Sequence, residues 1–397
     1  MKKTAIILTI TISLLLVSAV GAAAQDITFG GYVRNTTGVF LNDNLDFSQI
    51  QNTLDFSAEY YGDISDLKAD VYLNQSGKNE IEAGVKELYL DILLDSMDFR
   101  IGKQQIIWGK ADGVFITDII SPKDLTNFIL PDFNEIRMGV TALKADYYMD
   151  YIDFELVWVP NFTPAVKPSG IWAASAPLNI KQINLPDNTI DNSEVFGKLS
   201  YMGSAIDIEL MGAYMWDDLP SASYDGTISG IAADYHRVAM AGGSFSTDIA
   251  GLVFKGEGAY YKGKNFTVQA SPVSTVEKDF VNYMVGLDYS IGGYTLGTQF
   301  IQEIILDYDD RIMLNDELKN TMTFVVAKQF LNDTLKVEFF SYAGLSNKDA
   351  LLRPKVTYNI ADGLEWVVGS DIFLGDSGDF GQYDDNDLVY TKLKYSF

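Results

Sequence analysis

The chain has 397 residues, 29 of them basic and 54 acidic, with 47% apolar and 13% aromatic content, one histidine and no cysteine. Such aromatic richness excludes a disordered chain, and the missing cysteines exclude disulfide scaffolds, thiolate zinc sites and iron–sulfur clusters. A net charge of −25 argues against a nucleic-acid partner, because phosphate binding needs a basic face.

Residues 1–24 have the form of a secretory signal: Lys2 and Lys3, an apolar run from Ala5 to Val17, and Ala22-Ala23-Ala24 before Gln25. Cleavage after Ala24 is expected to leave one domain, 25–397, outside the cytoplasm. No cysteine follows that site, so no lipoprotein anchor is expected. Beyond it no apolar stretch reaches the roughly 20 residues of a membrane helix, which leaves a soluble periplasmic protein or a barrel that crosses the outer membrane with strands.

Segments of about ten residues with period-two alternation choose the barrel. They recur from Leu67-Lys68-Ala69-Asp70-Val71 through Ile206–Leu210 and Val281–Ile291 to Leu335-Lys336-Val337-Glu338-Phe339. Eight short turns rich in Gly, Asn, Asp and Ser, such as Gly62–Asp66 and Leu331–Thr334, have hairpin chemistry. Between them lie nine longer loops, near 42–48, 76–83, 106–136, 161–192, 217–235, 262–279, 307–319, 345–349 and 375–387. The predicted fold is therefore an all-β, transmembrane, antiparallel up-and-down barrel of about 18 strands, or 16 if two weak segments merge, with short turns toward the periplasm. A periplasmic sandwich is the competing fold, but its two-sheet core could not bury apolar faces on this many strands.

Charges at alternate strand positions cannot face lipid, where a midplane Lys or Arg costs about 2–4 kcal/mol. Arg100, Lys198, Lys255, Glu257, Lys328, Arg353, Lys355, Asp371 and Lys394 are accordingly expected to line a wet lumen, which about 16–18 strands make wide enough for a channel. The loop 106–136 is too apolar for solvent, with Phe115, Ile116, Ile119, Ile120, Leu125, Phe128 and Phe133. It is expected to fold inward and narrow the barrel, with Ser121-Pro122 starting a short helix. The competing placement packs it over the rim or against a neighbouring subunit. The proline-rich loop 161–192 is a candidate lid.

In the last strand, Val389, Thr391, Leu393, Tyr395 and Phe397 share a face and the chain ends on Phe. Leu393, Tyr395 and Phe397 resemble the signal read by the outer-membrane barrel assembly machinery. The stretch Arg100-Ile101-Gly102-Lys103-Gln104-Gln105-Ile106-Ile107-Trp108-Gly109-Lys110-Ala111-Asp112-Gly113, with Asp118 and Pro122-Lys123-Asp124 after it, resembles the G-[RK]-Q-x-x-x-W-G segment of alginate-export-type porins. It is more similar still to a related family of Gram-negative outer-membrane proteins, which Phe154–Pro160 also fits. The resemblance implies an 18-stranded monomeric barrel with a restricted lumen, and makes Arg100, Lys103, Gln105, Trp108, Lys110, Asp112, Asp118, Lys123 and Asp124 the candidates for the constriction. It does not imply alginate, because the alginate exporters carry a strongly basic constriction and this lumen is mixed in sign.

Catalysis would have to use His236, near Ser229 and Asp234, without any nucleophile motif around them, so no enzyme is expected. No cofactor or metal is expected either; the acidic runs 307–310, 376–379 and 384–387 offer oxygen ligands for calcium but none follows a calcium-loop pattern. Two functions stay open: a diffusion channel for small polar or anionic solutes, or a surface-exposed structural protein or adhesin with a plugged barrel. In either case the partners are outer-membrane lipids and lipopolysaccharide, whose phosphates divalent cations could bridge to the acidic loops.

Overall fold

A computed structural model describes residues 27–77, 80–173, 178–227 and 230–397; the signal segment and Ser229 lie outside the described residues. In chain order the strands are β1 (Ile27–Phe40), β2 (Phe47–Tyr61), β3 (Ser65–Ser76), β4 (Glu80–Leu93), β5 (Met97–Gln104), β6 (Val140–Tyr148), β7 (Ile152–Val159), β8 (Gln182–Asn184), β9 (Glu194–Met202), β10 (Asp207–Trp216), β11 (Ser221–Tyr224) and β12 (Ile231–Asp234). They continue as β13 (Arg237–Ile249), β14 (Leu252–Val268), β15 (Ser274–Ile291), β16 (Tyr294–Ile305), β17 (Leu318–Phe330), β18 (Leu335–Gly344), β19 (Asp349–Ala361), β20 (Leu364–Leu374) and β21 (Leu388–Ser396). Eighteen of them form one antiparallel sheet, closed where β21 pairs with β1 in the register Tyr32↔Ser396 to Phe40↔Leu388. β8, β11 and β12 form a small separate sheet at the loop end. The expected 18-stranded barrel is thus the observed one.

Closure leaves the eighteen-stranded sheet without an edge strand, which is what a sheet surrounded by hydrocarbon requires. The outer face keeps apolar residues exposed along each strand, as with Val337 and Phe339 on β18 and Leu393, Tyr395 and Phe397 at the C-terminus. Two side-chain ladders interrupt it at similar height above the short turns. Asn35 donates to Asn52 at 2.8 Å and Asn52 to Gln75 at 2.7 Å; Tyr283 donates to Gln302 at 2.7 Å and Gln302 to Asn320 at 2.6 Å. Amides that satisfy one another in this way mark the upper edge of an apolar belt, which is about 25 Å tall in such barrels.

The wall is uneven: β5 and β7 have 8 residues, whereas β14 and β15 have 17 and 18. The loop expected over 262–279 is mostly strand. Lys264↔Lys278 to Val268↔Ser274 extend the ladder past a bulge at Gly263, whose φ of +85° suits glycine, and leave only 269–273 as connection. Phe266, Val268, Ile305 and Ile312 bury one another there.

Lys328, expected in the lumen, faces outward. It shares a face with Phe324 and Val326, both 41% exposed, and its ammonium sits 4.0 Å from the Tyr294 ring, the position of a snorkelling cation in an aromatic girdle.

Inside, the wall between β6 and β16 is apolar rather than charged at the loop end: Val157, Val159, Phe196, Met211, Met240 and Met284 are buried. An inner face of that kind needs a cover to escape water. The chain supplies it from the connection between β5 and β6.

Candidate functional site

The segment 105–139 leaves β5 inward and crosses the barrel. Its start is fixed by backbone needs that side chains meet: Ser121 Oγ accepts from the Ile106 N–H at 2.9 Å and donates to the Ile106 carbonyl at 3.0 Å. Ser121 therefore caps no helix, and the helix expected at Ser121-Pro122 is absent; residues 123 and 124 instead form bridges to Arg137 and Val166. The only helix of the segment is one turn, Phe133–Ile136.

Trp108 is 3% exposed, donates Nε1–H to Glu155 at 2.5 Å and stands edge-on to Phe196. Ile106, Ile116 and Ile120 complete the cover over the methionine-rich wall. Gly109, at φ +87°, lets the chain pass close to Glu257; a Cβ there would lie 2.4 Å from the Glu257 carboxylate.

Glu257, on β14, holds the segment. One carboxylate oxygen accepts from the Lys110 and Ala111 N–H groups at 2.5 and 2.9 Å, the other from the Thr117 N–H and hydroxyl at 2.7 Å each. It is buried, and its charge is solvated by donors of the loop itself. Beside it Gln299 accepts from the Asp112 N–H and donates to the Asp112 carbonyl, at 2.9 and 2.7 Å. Lys255 pairs with both Asp112 and Asp288.

Further round the barrel β18 and β19 grip the same segment. Tyr342 donates to the Gly113 carbonyl at 2.7 Å, and Arg353, paired with Asp371, donates to the carbonyls of Ile129 and Leu130 at 3.1 and 2.6 Å. Phe128, Ile129 and Leu130 pack against Trp172, Phe373 and Tyr383. Arg34 on β1 pairs with Glu135, and Lys392 lies 3.6 Å from Asp132.

The candidates from the motif fall into separate places. Gln105 donates to the Arg137 carbonyl at 2.6 Å, and Asp118 pairs with Arg137 at 2.6 Å. Lys123 donates to the carbonyls of Asp118 and Ser121; burial pushes its ammonium below the ordinary lysine value, against the pull of Asp118. Asp124 caps the Thr126 N–H in a local turn. Trp108, Lys110, Asp112, Asp118, Lys123 and Asp124 thus belong to one crossing segment, with Asp112 and Asp132 each 60% exposed at their side chains. Arg100 faces the lumen on β5, in a bidentate pair with Asp91 at 2.7 and 2.8 Å. Lys103 does not face it. It shares a face with Ile101, 47% exposed, pairs with Leu88 across the ladder, and donates to the Val85 carbonyl at 2.6 Å. Lys103→Leu is therefore expected to leave single-channel conductance unchanged, whereas a constriction lysine would change it.

Glu257, Gln299, Tyr342 and Arg353 escape sequence reasoning as anchors. They stand 140 or more residues from the residues that they bond, and nothing in their local spacing announces a partner.

No curated protein matches the chain by sequence. Its structure is similar to that of OccAB4 from Acinetobacter baumannii, at 11% identity and a TM-score of 0.57 over 94% of this chain and 98% of that one. It is also similar to the outer-membrane protein OpdK from Pseudomonas aeruginosa (8%, TM-score 0.55, 94% and 99%) and to OccK8 (OprE) from the same organism (10%, TM-score 0.54, 94% and 98%). At such identities the likeness shows the fold, that of an outer-membrane porin barrel. The family model described as protein of unknown function DUF1302 matches residues 46–290, which include the Arg100–Gly113 stretch, and the chain belongs to that family.

Proposed function

We propose that this protein is an outer-membrane channel for the diffusion of small polar solutes, narrowed by segment 105–139. The observation that carries the reading is the anchoring of that segment to successive strands round the barrel, by Glu257 and Gln299 on β14 and β16, by Tyr342 and Arg353 on β18 and β19, and by Arg34 on β1. A loop that leaves β5 and is held at β14 to β19 and again at β1 reduces the cross-section of a wide barrel without needing a moving part. The anionic solutes that the sequence left open gain no support from Arg100, Lys103 and Lys110: Arg100 is paired, Lys103 faces lipid, and Lys110 donates to Ser246 at 3.2 Å. The reading needs no cofactor and no catalytic group. The barrel acts as a monomer in contact with lipid and lipopolysaccharide, delivered by assembly factors that read Leu393, Tyr395 and Phe397.

The folded, heat-modifiable protein should give stepwise currents in a planar bilayer. Absence of current at every voltage would contradict a channel and favour a plugged surface protein or adhesin.

A further inference from the structure

The charge of this chain is not spread over the barrel. The nine loops expected from the sequence hold 28 acidic and 11 basic residues; without 106–136, which crosses the lumen, and 262–279, which is mostly strand, the remaining seven hold 21 acidic and 6 basic. The turn segments 62–66, 94–98, 149–153, 203–207, 248–251, 292–293, 331–334 and 361–363 hold ten aspartates and no lysine or arginine. All other positions from 25 onward, the crossing segment included, nearly balance, with 23 acidic and 21 basic residues.

The structure shows how that balance is spent. Inward cations are matched locally: Arg34 with Glu135, Lys86 with Asp55, Arg100 with Asp91, Lys144 with Asp146, Lys255 with Asp112 and Arg353 with Asp371. Lys103 and Lys328 stand on the outer face, and Lys394 sits over the Tyr32 ring at 4.7 Å. By contrast, among the described residues none of the ten turn aspartates forms an ion pair with a lysine or arginine; the ion pairs lie on the walls and loops. Both ends of the barrel are therefore net negative, while the passage between them is close to neutral and most of its cations are paired.

We infer, building on the channel reading above, that the pore conducts cations in preference to anions, and that the field at its two mouths sets this preference rather than a binding site in the lumen. Like-signed mouths around a low-dielectric wall raise the local concentration of the opposite sign, with potentials that reach several kT. Most lumen cations are paired, Lys110 and Lys394 being the ones without a carboxylate among the described residues, so the lumen offers an anion few uncompensated charges to exchange its hydration for. The solutes favoured are inorganic cations and small organic ammonium compounds.

A mouth field is screened by salt, since the Debye length falls from about 10 Å at 0.1 M to about 3 Å at 1 M. Reversal potentials in a KCl gradient should thus give a K⁺ over Cl⁻ permeability ratio of about three or more near 0.1 M, falling toward one near 1 M. Asp63→Asn, Asp95→Asn, Asp150→Asn and Asp333→Asn combined should lower the low-salt ratio without closing the pore. These four leave in place the turn hydrogen bonds accepted by Asp66, Asp98 and Asp248. Current with a ratio of one or below at low salt would overturn this inference and leave the channel standing; so would a ratio that ignores salt, or one that ignores the four substitutions. Absence of current would overturn the channel reading itself. The salt series needs only the unaltered protein, so the inference stays testable if the variant does not fold.

Discussion

Replacing Glu257 by alanine is expected to free the crossing segment and raise the conductance of the pore, with added noise. The carboxylate accepts three backbone N–H groups and one hydroxyl from the loop, all at 2.5–2.9 Å. Hydrogen bonds to a charged group contribute about 1.5–3 kcal/mol each. After water has entered the gap, the loss of anchoring is still on the order of 3–6 kcal/mol, because four donors lose one common acceptor. The effect is local: Glu257 points into the lumen and its truncation touches no ladder bond of β14, so the barrel should stay heat-modifiable.

Glu257→Gln separates charge from shape. Both oxygens accept two hydrogens in the native site, and an amide offers only one oxygen. Its NH₂ would face either the Lys110 and Ala111 donors or those of Thr117, so the glutamine variant should also loosen the loop, less than alanine does. Limited proteolysis reads the same event independently, since within residues 106–120 only Ile107 and Asp112 are exposed, and the segment should become cleavable in the alanine variant. Native conductance together with native protease resistance would show that the segment is held by packing alone.

Much of this arrangement is legible in the sequence. Strand faces follow parity, so alternation alone places Val337 and Phe339 on β18, or Leu393 and Tyr395 on β21, outward, and the aspartate and glycine turns set the strand count. That segment 106–136 goes inside follows from its isoleucines and phenylalanines. Parity also contradicts the placing of Lys103 beside Arg100 in the lumen: residues an odd number apart on a strand point to opposite faces, as Lys328 and Ala327 also do. The motif resemblance alone misplaces Lys103, because a membrane lysine can be satisfied by one bulge carbonyl, as Val85 satisfies it here. Ser121 has the residue type of a helix cap, but the Ile106 backbone competes for its hydroxyl. The anchors are out of reach for a different reason. Glu257 is one of many inward charges by pattern, and only the closed fold brings Lys110 and Thr117 to it.

The larger effect is expected from removing the segment altogether. Exchanging residues 111–130 for a short Gly/Ser linker takes away Ile116 and Ile120 from the methionine-rich wall and Phe128, Ile129 and Leu130 from the aromatic cluster opposite. Those inner faces would then meet water, which lowers stability but leaves the sheet closed, because β21 still pairs with β1. The lumen of an 18-stranded barrel without its crossing loop is a wide aqueous passage. The decisive measurement is the single-channel conductance of this linker variant beside that of the native protein, in one membrane and one salt solution. A severalfold larger conductance in a folded, heat-modifiable variant is the result predicted for a channel narrowed by its own loop. An unchanged conductance would contradict it, and would place the restriction of the lumen elsewhere.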